Sequence, residues 1–174
     1  MTHALNIEPT ITGKSVMQRL LAGIKNNAAF SQFCFTQFGK YPAQFLGFDA
    51  QNPPKEDKIP WIGVVLSGVQ IADGYDAFLY QVAVGGAIFG ETSVVQDTIS
   101  KVYEYDATDL SDEFSRLFYS AALSAMMASP DNLETEILDA SGVQINTNLP
   151  FISINFDLTI SVPLKIEEEQ EQST

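Results

Sequence analysis

With one cysteine and one histidine in 174 residues, the chain has little from which to build nucleophilic or metal chemistry. Cys34 has no partner for an internal disulfide, so no disulfide framework exists. It lies among Phe30, Phe33, Phe35 and Phe38 and reads as a small buried hydrophobe rather than a nucleophile. His3 sits in an N-terminal arm, away from any periodic segment. Histidine-dependent triads and His-based metal sites need an imidazole held on a scaffold. Bases are also scarce, 9 against 22 acids, for a net charge of −13. Such a chain repels a phosphate backbone rather than neutralising it, which excludes specific nucleic-acid binding. Lys14, Arg19 and Lys25 share one segment but form no tight stripe, and they read as a solvated helix face. Charged residues make up 18% of the chain, below the roughly 25% of an average domain. That leaves more neutral and apolar surface for contacts. The longest apolar run, Val82 to Gly90, falls far short of the roughly 20 residues that span a bilayer. Residues 1–6 lack the basic and apolar regions of a signal peptide. Synthesis in a reducing cytoplasm and no membrane partner are the resulting expectations.

What is present fits one domain of 174 residues, enough to build a core without staples. Residues 1–14 read as an arm, residues 15–166 as a single α+β domain, and residues 167–174 as an acidic tail too polar to offset its ordering entropy. Val16, Leu20 and Ile24, with Met17 and Leu21 beside them, predict a helix over about 15–30. The phenylalanines that follow leave helix and strand both open. Residues 49–60, with Pro53-Pro54 and mixed charges, read as a projecting loop. Strands at 61–69 and about 77–85, joined by a turn at Gly74, predict an antiparallel hairpin with Phe78, Tyr80, Val82 and Val84 on one face. Gly85, Gly86 and Gly90 predict a bend or bulge. A second helix over about 109–128 carries Phe114, Leu117, Phe118, Ala121, Ala122 and Ala125 on one face, with acids at its positive end. A short strand at 135–139 leads to a turn at Ser141-Gly142. Ile152, Ile154, Phe156, Leu158, Ile160 and Val162 then alternate with polar residues, which predicts a long strand with one buried face, ended by Pro163. This order specifies an α+β fold, an antiparallel or mixed β-sheet with two main helices packed on it.

No motif supplies chemistry. Gly13-Lys14-Ser15 imitates the end of a phosphate-binding loop, but Glu8 stands where its first glycine belongs. Asp106, Asp109, Asp112 and Glu113 lack the spacing of a calcium loop and read as a solvated helix entrance. No catalytic, metal or cofactor-binding residue is assigned, and no cofactor is expected.

The stretch Lys58-Ile59-Pro60-Trp61-Ile62-Gly63-Val64-Val65-Leu66, a loop and proline opening an apolar strand, resembles the start of the sheet in tail terminator proteins of tailed bacteriophages. The order of elements over about 15–165 resembles theirs too: helix, hairpin, second long helix, final strand. The 86–110 connection and the phenylalanine-rich stretch depart from that pattern. The resemblance implies a structural, non-enzymatic virion subunit, assembled in the host cytoplasm into a homo-oligomeric ring, commonly a hexamer. Such a ring caps the tail tube, offers a docking face to neck and connector proteins, and lets DNA pass without binding it. Residues of the 49–60 loop, Asn52, Pro53, Pro54, Lys55, Glu56 and Asp57, together with the 70–76 turn, are the expected contacts. Asp106, Asp109 and Asp112 are candidates for an acidic lumen. The alternatives are another phage structural subunit, of the tail tube or head completion, and a small-ligand-binding α+β domain, which needs a pocket with convergent polar groups.

Overall fold

Alternation of apolar and polar residues decides the longest strand, and the rest of the sheet is built against it. The computed structural model describes residues 7–47, 54–74, 76–90, 94–96, 103–105, 107–127 and 135–166. The elements in chain order are β1 (Ile7–Pro9), α1 (Gly13–Asn26), α2 (Ala28–Phe38), β2 (Ala43–Leu46), β3 (Trp61–Ile71), β4 (Ala77–Phe89), β5 (Val94–Gln96), β6 (Tyr103–Tyr105), α3 (Ala107–Met127), β7 (Glu136–Asn148) and β8 (Phe151–Ile166). The main sheet runs β8-β4-β3-β2, with β7 and β1 also paired to β8, while β5 and β6 form a separate antiparallel pair. Among the described residues only β2 pairs in parallel, with β3, which makes the sheet mixed.

The even-numbered residues Ile152 to Val162 of β8 are all buried against the helices, as their period of two requires. Val82, Val84 and Ile88 of β4 and Ile62 and Val64 of β3 continue that face. Phe30, Phe114, Phe118 and Phe156 form its centre, with Phe118 5.5 Å from Phe30 and 5.6 Å from Phe114 between ring centroids. The opposite face carries a smaller cluster at one end, where Ile59, Trp61 and Ala87 pack with Phe45, Phe89 and Phe151.

Among the described residues the helical layer holds three helices where two main ones are expected. Asn27 is extended (φ −65°, ψ 115°) and breaks the predicted 15–30 helix. Its backbone N–H donates to the Ile24 carbonyl and its side-chain oxygen accepts from the Phe30 N–H at 3.1 Å, so one residue closes α1 and caps α2. The phenylalanine stretch is therefore helical. The helix also begins earlier than predicted, at Gly13, because Thr12 accepts from the Ser15 N–H at 3.2 Å. Part of the expected arm is β1.

Other local expectations are corrected in the sheet. No bulge occurs at Gly85-Gly86, since β4 keeps its register with β8 through to Phe89. A Cβ on Gly86 would stand 3.2 Å from the ring tips of both Phe114 and Phe118, so this glycine lets α3 lie close rather than kinking the strand. The irregularity falls on β3 instead, between Leu66 and Gly68. Ser141-Gly142 is no turn. The strand continues to Asn148 with a register shift there, and Gly142 takes φ +66°. Pro163 does not end β8. Its carbonyl accepts from the Thr10 N–H at 3.1 Å, while the next residue, Leu164, donates to the Asp76 carbonyl at 3.1 Å on the other side. Successive residues in a strand aim their hydrogen-bonding groups to opposite sides. The missing N–H of Pro163 thus points to the gap between the ends of β7 and β1, where no ladder bond is needed.

Cys34 is fully buried, and burial pushes its thiol up to about 12. An unfolded thiol ionises near ~8.5, so between about 8.5 and 12 the folded state retains a proton that the unfolded state has lost. Stability therefore falls as pH rises through that window. Two results are expected. A disulfide-exchange reagent at pH 8 labels Cys34 at least ~100-fold more slowly in the native protein than in denaturant. Cys34→Ala has a shallower loss of urea midpoint between pH 8 and pH 10.5 than the parent. Rapid native labelling with equal slopes is the contrary result.

Candidate assembly surfaces

The two long edges of the molecule are built differently. At one, α2 ends at Gly39 in the left-handed conformation (φ +67°), which sends the chain through Lys40 and Tyr41 into the edge strand β2. That turn sets Phe35 and Tyr41 side by side, 5.5 Å apart, at 49% and 59% exposure. Leu46, at the other end of β2, is also exposed. Residues 54–60 fold back along this edge. Residues Glu56–Lys58 form a 3₁₀ turn rather than an open loop, and Ile59 and Pro60 are buried beneath it. Lys40 Nζ donates to the Asp57 carbonyl at 3.3 Å. The hydrogen-bonded Lys58 ammonium, 2.9 Å from the Asp57 carboxylate, holds that carboxyl below its ordinary pKa.

At the other edge β7 hydrogen-bonds to β8 and presents Leu138, Val143 and Ile145 to solvent. Between β7 and α3 lie two open grooves that share no lining residue. One, of about 640 Å³, is lined by Leu123, Met126, Ile137 and Leu138, while Glu136 and Asp139 pair with Ser161 and Thr159 on the other face of the sheet. The other, of about 480 Å³, lies at the start of α3 and is lined by Asp112, Thr108, Ser111 and Ile145. The hairpin β3–β4 forms a third exposed feature. Its strands reach Ile71 and resume at Ala77, and Val69 and Ile71 are exposed near the tip.

The charge is as uneven as the surface. Residues 10–48, which include α1, α2 and β2, contain four bases and no acid. Residues 49–174 contain 21 acids and five bases. The bases of this segment stand out in a chain of net charge −13, although the exposed Glu56 and Asp57 lie at the same edge as Lys40. This asymmetry is written in the sequence, but its meaning depends on the sheet order, which sets β2 at the far side from β7, and on α2 packing against α3.

Of the residues singled out from sequence, Lys55, Glu56 and Asp57 are exposed at the β2 edge and Pro54 is half-buried. Asn52 and Pro53 lie outside the described residues. Asp109 and Asp112 are exposed on the first turns of α3, with Asp112 in the groove, while Asp106 and the 167–174 tail lie outside the described residues. Phe35, Tyr41 and the β7 groove were missed. Phe35 is one of a run of phenylalanines, and nothing local separates the exposed one from its buried neighbours Phe30 and Phe33. Among the described residues no group of three or more His, Cys, Asp or Glu side chains is gathered to share a metal ion, and no helix is long and apolar enough to cross a membrane. No known protein-family model matches the chain, and no curated protein matches it in sequence.

Proposed function

We propose that the chain is a structural subunit that builds a closed ring, of the kind formed by the tail terminator proteins of tailed phages. On this reading the ring caps the tail tube and offers the docking face for the head. The observation that carries it is the placement of exposed large apolar side chains. Among the described residues they gather at the β2 edge, along β7 and at the hairpin tip, rather than scattering singly over the surface. Clustered apolar surface of that kind marks contact with other proteins. Two such edges at opposite ends of one sheet suit a subunit with a neighbour on each side, and the hairpin tip and the 3₁₀ turn at Glu56–Lys58 suit contacts above and below. The strong acidity supports a lumen that DNA slides through without sticking, because carboxylates repel phosphates over a Debye length of about 8 Å. Asp109 remains a candidate for that lining.

Sedimentation velocity and negative-stain microscopy over a concentration series test this reading. The expected result is a species of one fixed mass that appears as a ring and stops growing. Open-ended polymers would favour a tail-tube subunit. A single-chain species at every concentration, with and without tail tubes added, would exclude a ring-forming role.

A further inference from the structure

We infer that the turn closing the β3–β4 hairpin is a site of covalent self-modification, where Asp73 and Gly74 condense to a cyclic imide that reopens as isoaspartate. The inference concerns the free chain and does not depend on the ring reading. Among all the aspartates and asparagines of the chain, Asp73 alone is followed by glycine. Glycine brings no side chain to shield its nitrogen and leaves the backbone free to rotate toward the geometry of attack.

The structure adds what the dipeptide alone does not carry. Asp73 and Gly74 lie in the turn between Ile71, where β3 ends, and Ala77, where β4 begins, and both are exposed. Among the described residues neither the Asp73 carboxylate nor the Gly74 N–H takes part in a hydrogen bond or ion pair. Both reacting groups are therefore free, at a loop tip of the kind where chemical change concentrates. The ends of the loop are held. The Ala72 N–H donates to the Ala77 carbonyl at 2.9 Å, and the Asp76 carbonyl accepts from the Leu164 N–H at 3.1 Å. The other described aspartates are placed differently. Asp109 and Asp112 stand in α3, and Asp139 and Asp157 in β7 and β8, where helix and ladder fix the backbone. Asp57 is paired with Lys58, and Asp76 is followed by the buried Ala77.

The reaction balances with water as its only co-reactant. The Gly74 nitrogen attacks the side-chain carboxyl carbon of Asp73. A C–N bond forms, and the amide proton leaves with the carboxyl OH as water. A second water then opens the imide. Attack at the former side-chain carbonyl restores aspartate. Attack at the main-chain carbonyl breaks the original peptide C–N bond, leaves the chain running through the side-chain carbon and frees the α-carboxylate. The product has one extra methylene in the backbone of the turn. That length is taken up between the held ends of the loop, at the tip that carries the exposed Val69 and Ile71.

The test holds the full folded chain in heavy-oxygen water at neutral pH and body temperature for several weeks, then maps it by proteolysis and mass spectrometry. The expected result is isoaspartate and incorporated heavy oxygen at position 73 and at no other described aspartate. Gly74→Ala is expected to lose that signal. Gly74 lies outside the left-handed region and a Cβ there meets the Asp76 carboxylate at an ordinary 3.4 Å, so this variant is expected to fold, which an unchanged melt confirms. Asp73→Asn forms the same imide with loss of ammonia and is expected to accumulate isoaspartate faster than the parent. A folded chain without isoaspartate at position 73, when the chain in urea gains it, shows that the folded turn blocks the reaction and overturns the inference. Undiminished signal in Gly74→Ala, or signal spread evenly over the aspartates, overturns it as well.

Discussion

Phe118→Ala is expected to cost about 3–5 kcal/mol of folding stability, the range for truncating a fully buried aromatic. The ring is wholly buried and joins every layer of the core. It stacks on Phe114 at 5.6 Å and 10°, meets Phe30 of α2 at 5.5 Å, and packs edge-on against Phe156 of β8 at 5.7 Å. Its tip lies over Gly86 of β4, where a side chain would leave it no room. Alanine there loses the transfer energy of the ring and opens a cavity that the rigid sheet cannot close. Set against a total of about 5–15 kcal/mol for a domain, this is a large fraction. Urea unfolding of the single chain should show a lower midpoint at an unchanged slope. Phe35→Ala, an exposed member of the same run, should stay within about 0.5 kcal/mol under the same conditions. Similar losses in the two variants would contradict the core described.

Gly23→Ala should also destabilise, although helix propensity alone argues the reverse. Replacing a mid-helix glycine by alanine is worth about 0.8–1.0 kcal/mol to the helix. The new Cβ, however, would stand 2.4 Å from Ala125 Cβ and 2.7 Å from Ala125 Cα. The second of these is backbone and cannot swing aside, so α1 and α3 must separate along their shared face. Overpacking of this kind costs about 1–3 kcal/mol, and here it exceeds the propensity gain. The expected net loss is up to about 2 kcal/mol, and Gly23→Leu should lose more. Ala125→Gly combined with Gly23→Ala moves the small residue to the other helix and should recover part of the loss. The two positions touch, so the double variant should depart from the sum of the singles by more than about 0.5 kcal/mol. Gly23→Ala melting above the parent would show that the helices cross less closely than described.

Periodicity alone determined a good deal of this molecule. The alternation from Ile152 to Val162 set which face of β8 is buried, Phe78 to Val84 did the same for the hairpin partner β4, and Phe114, Phe118, Ala121 and Ala122 marked the inner face of α3. Those signals are local. They report which side of an element meets apolar surroundings, and they hold whatever the element packs against. The charge asymmetry between residues 10–48 and the rest is equally open to reading, but in one dimension it names no surface.

Tertiary structure decided what depends on partners distant in the chain. Asn27 sits in a helical pattern, yet its side chain satisfies the Phe30 N–H better from outside the helix, so one helix became two. Pro163 looked like a strand stop, but it stands where β8 has no neighbour to receive a hydrogen bond. Gly142 looked like a turn, but the ladder to β8 resumes on either side of it. Residues 43–46 carry too short a pattern to announce a strand, and pairing with β3 made them the sheet's edge. The candidate surfaces arise the same way. Phe30 and Phe33 point into the core and Phe35 does not, because α2 lies against α3 on one side only. Which phenylalanine is left outside depends on how that helix is turned, and packing between segments far apart in the chain sets the turn.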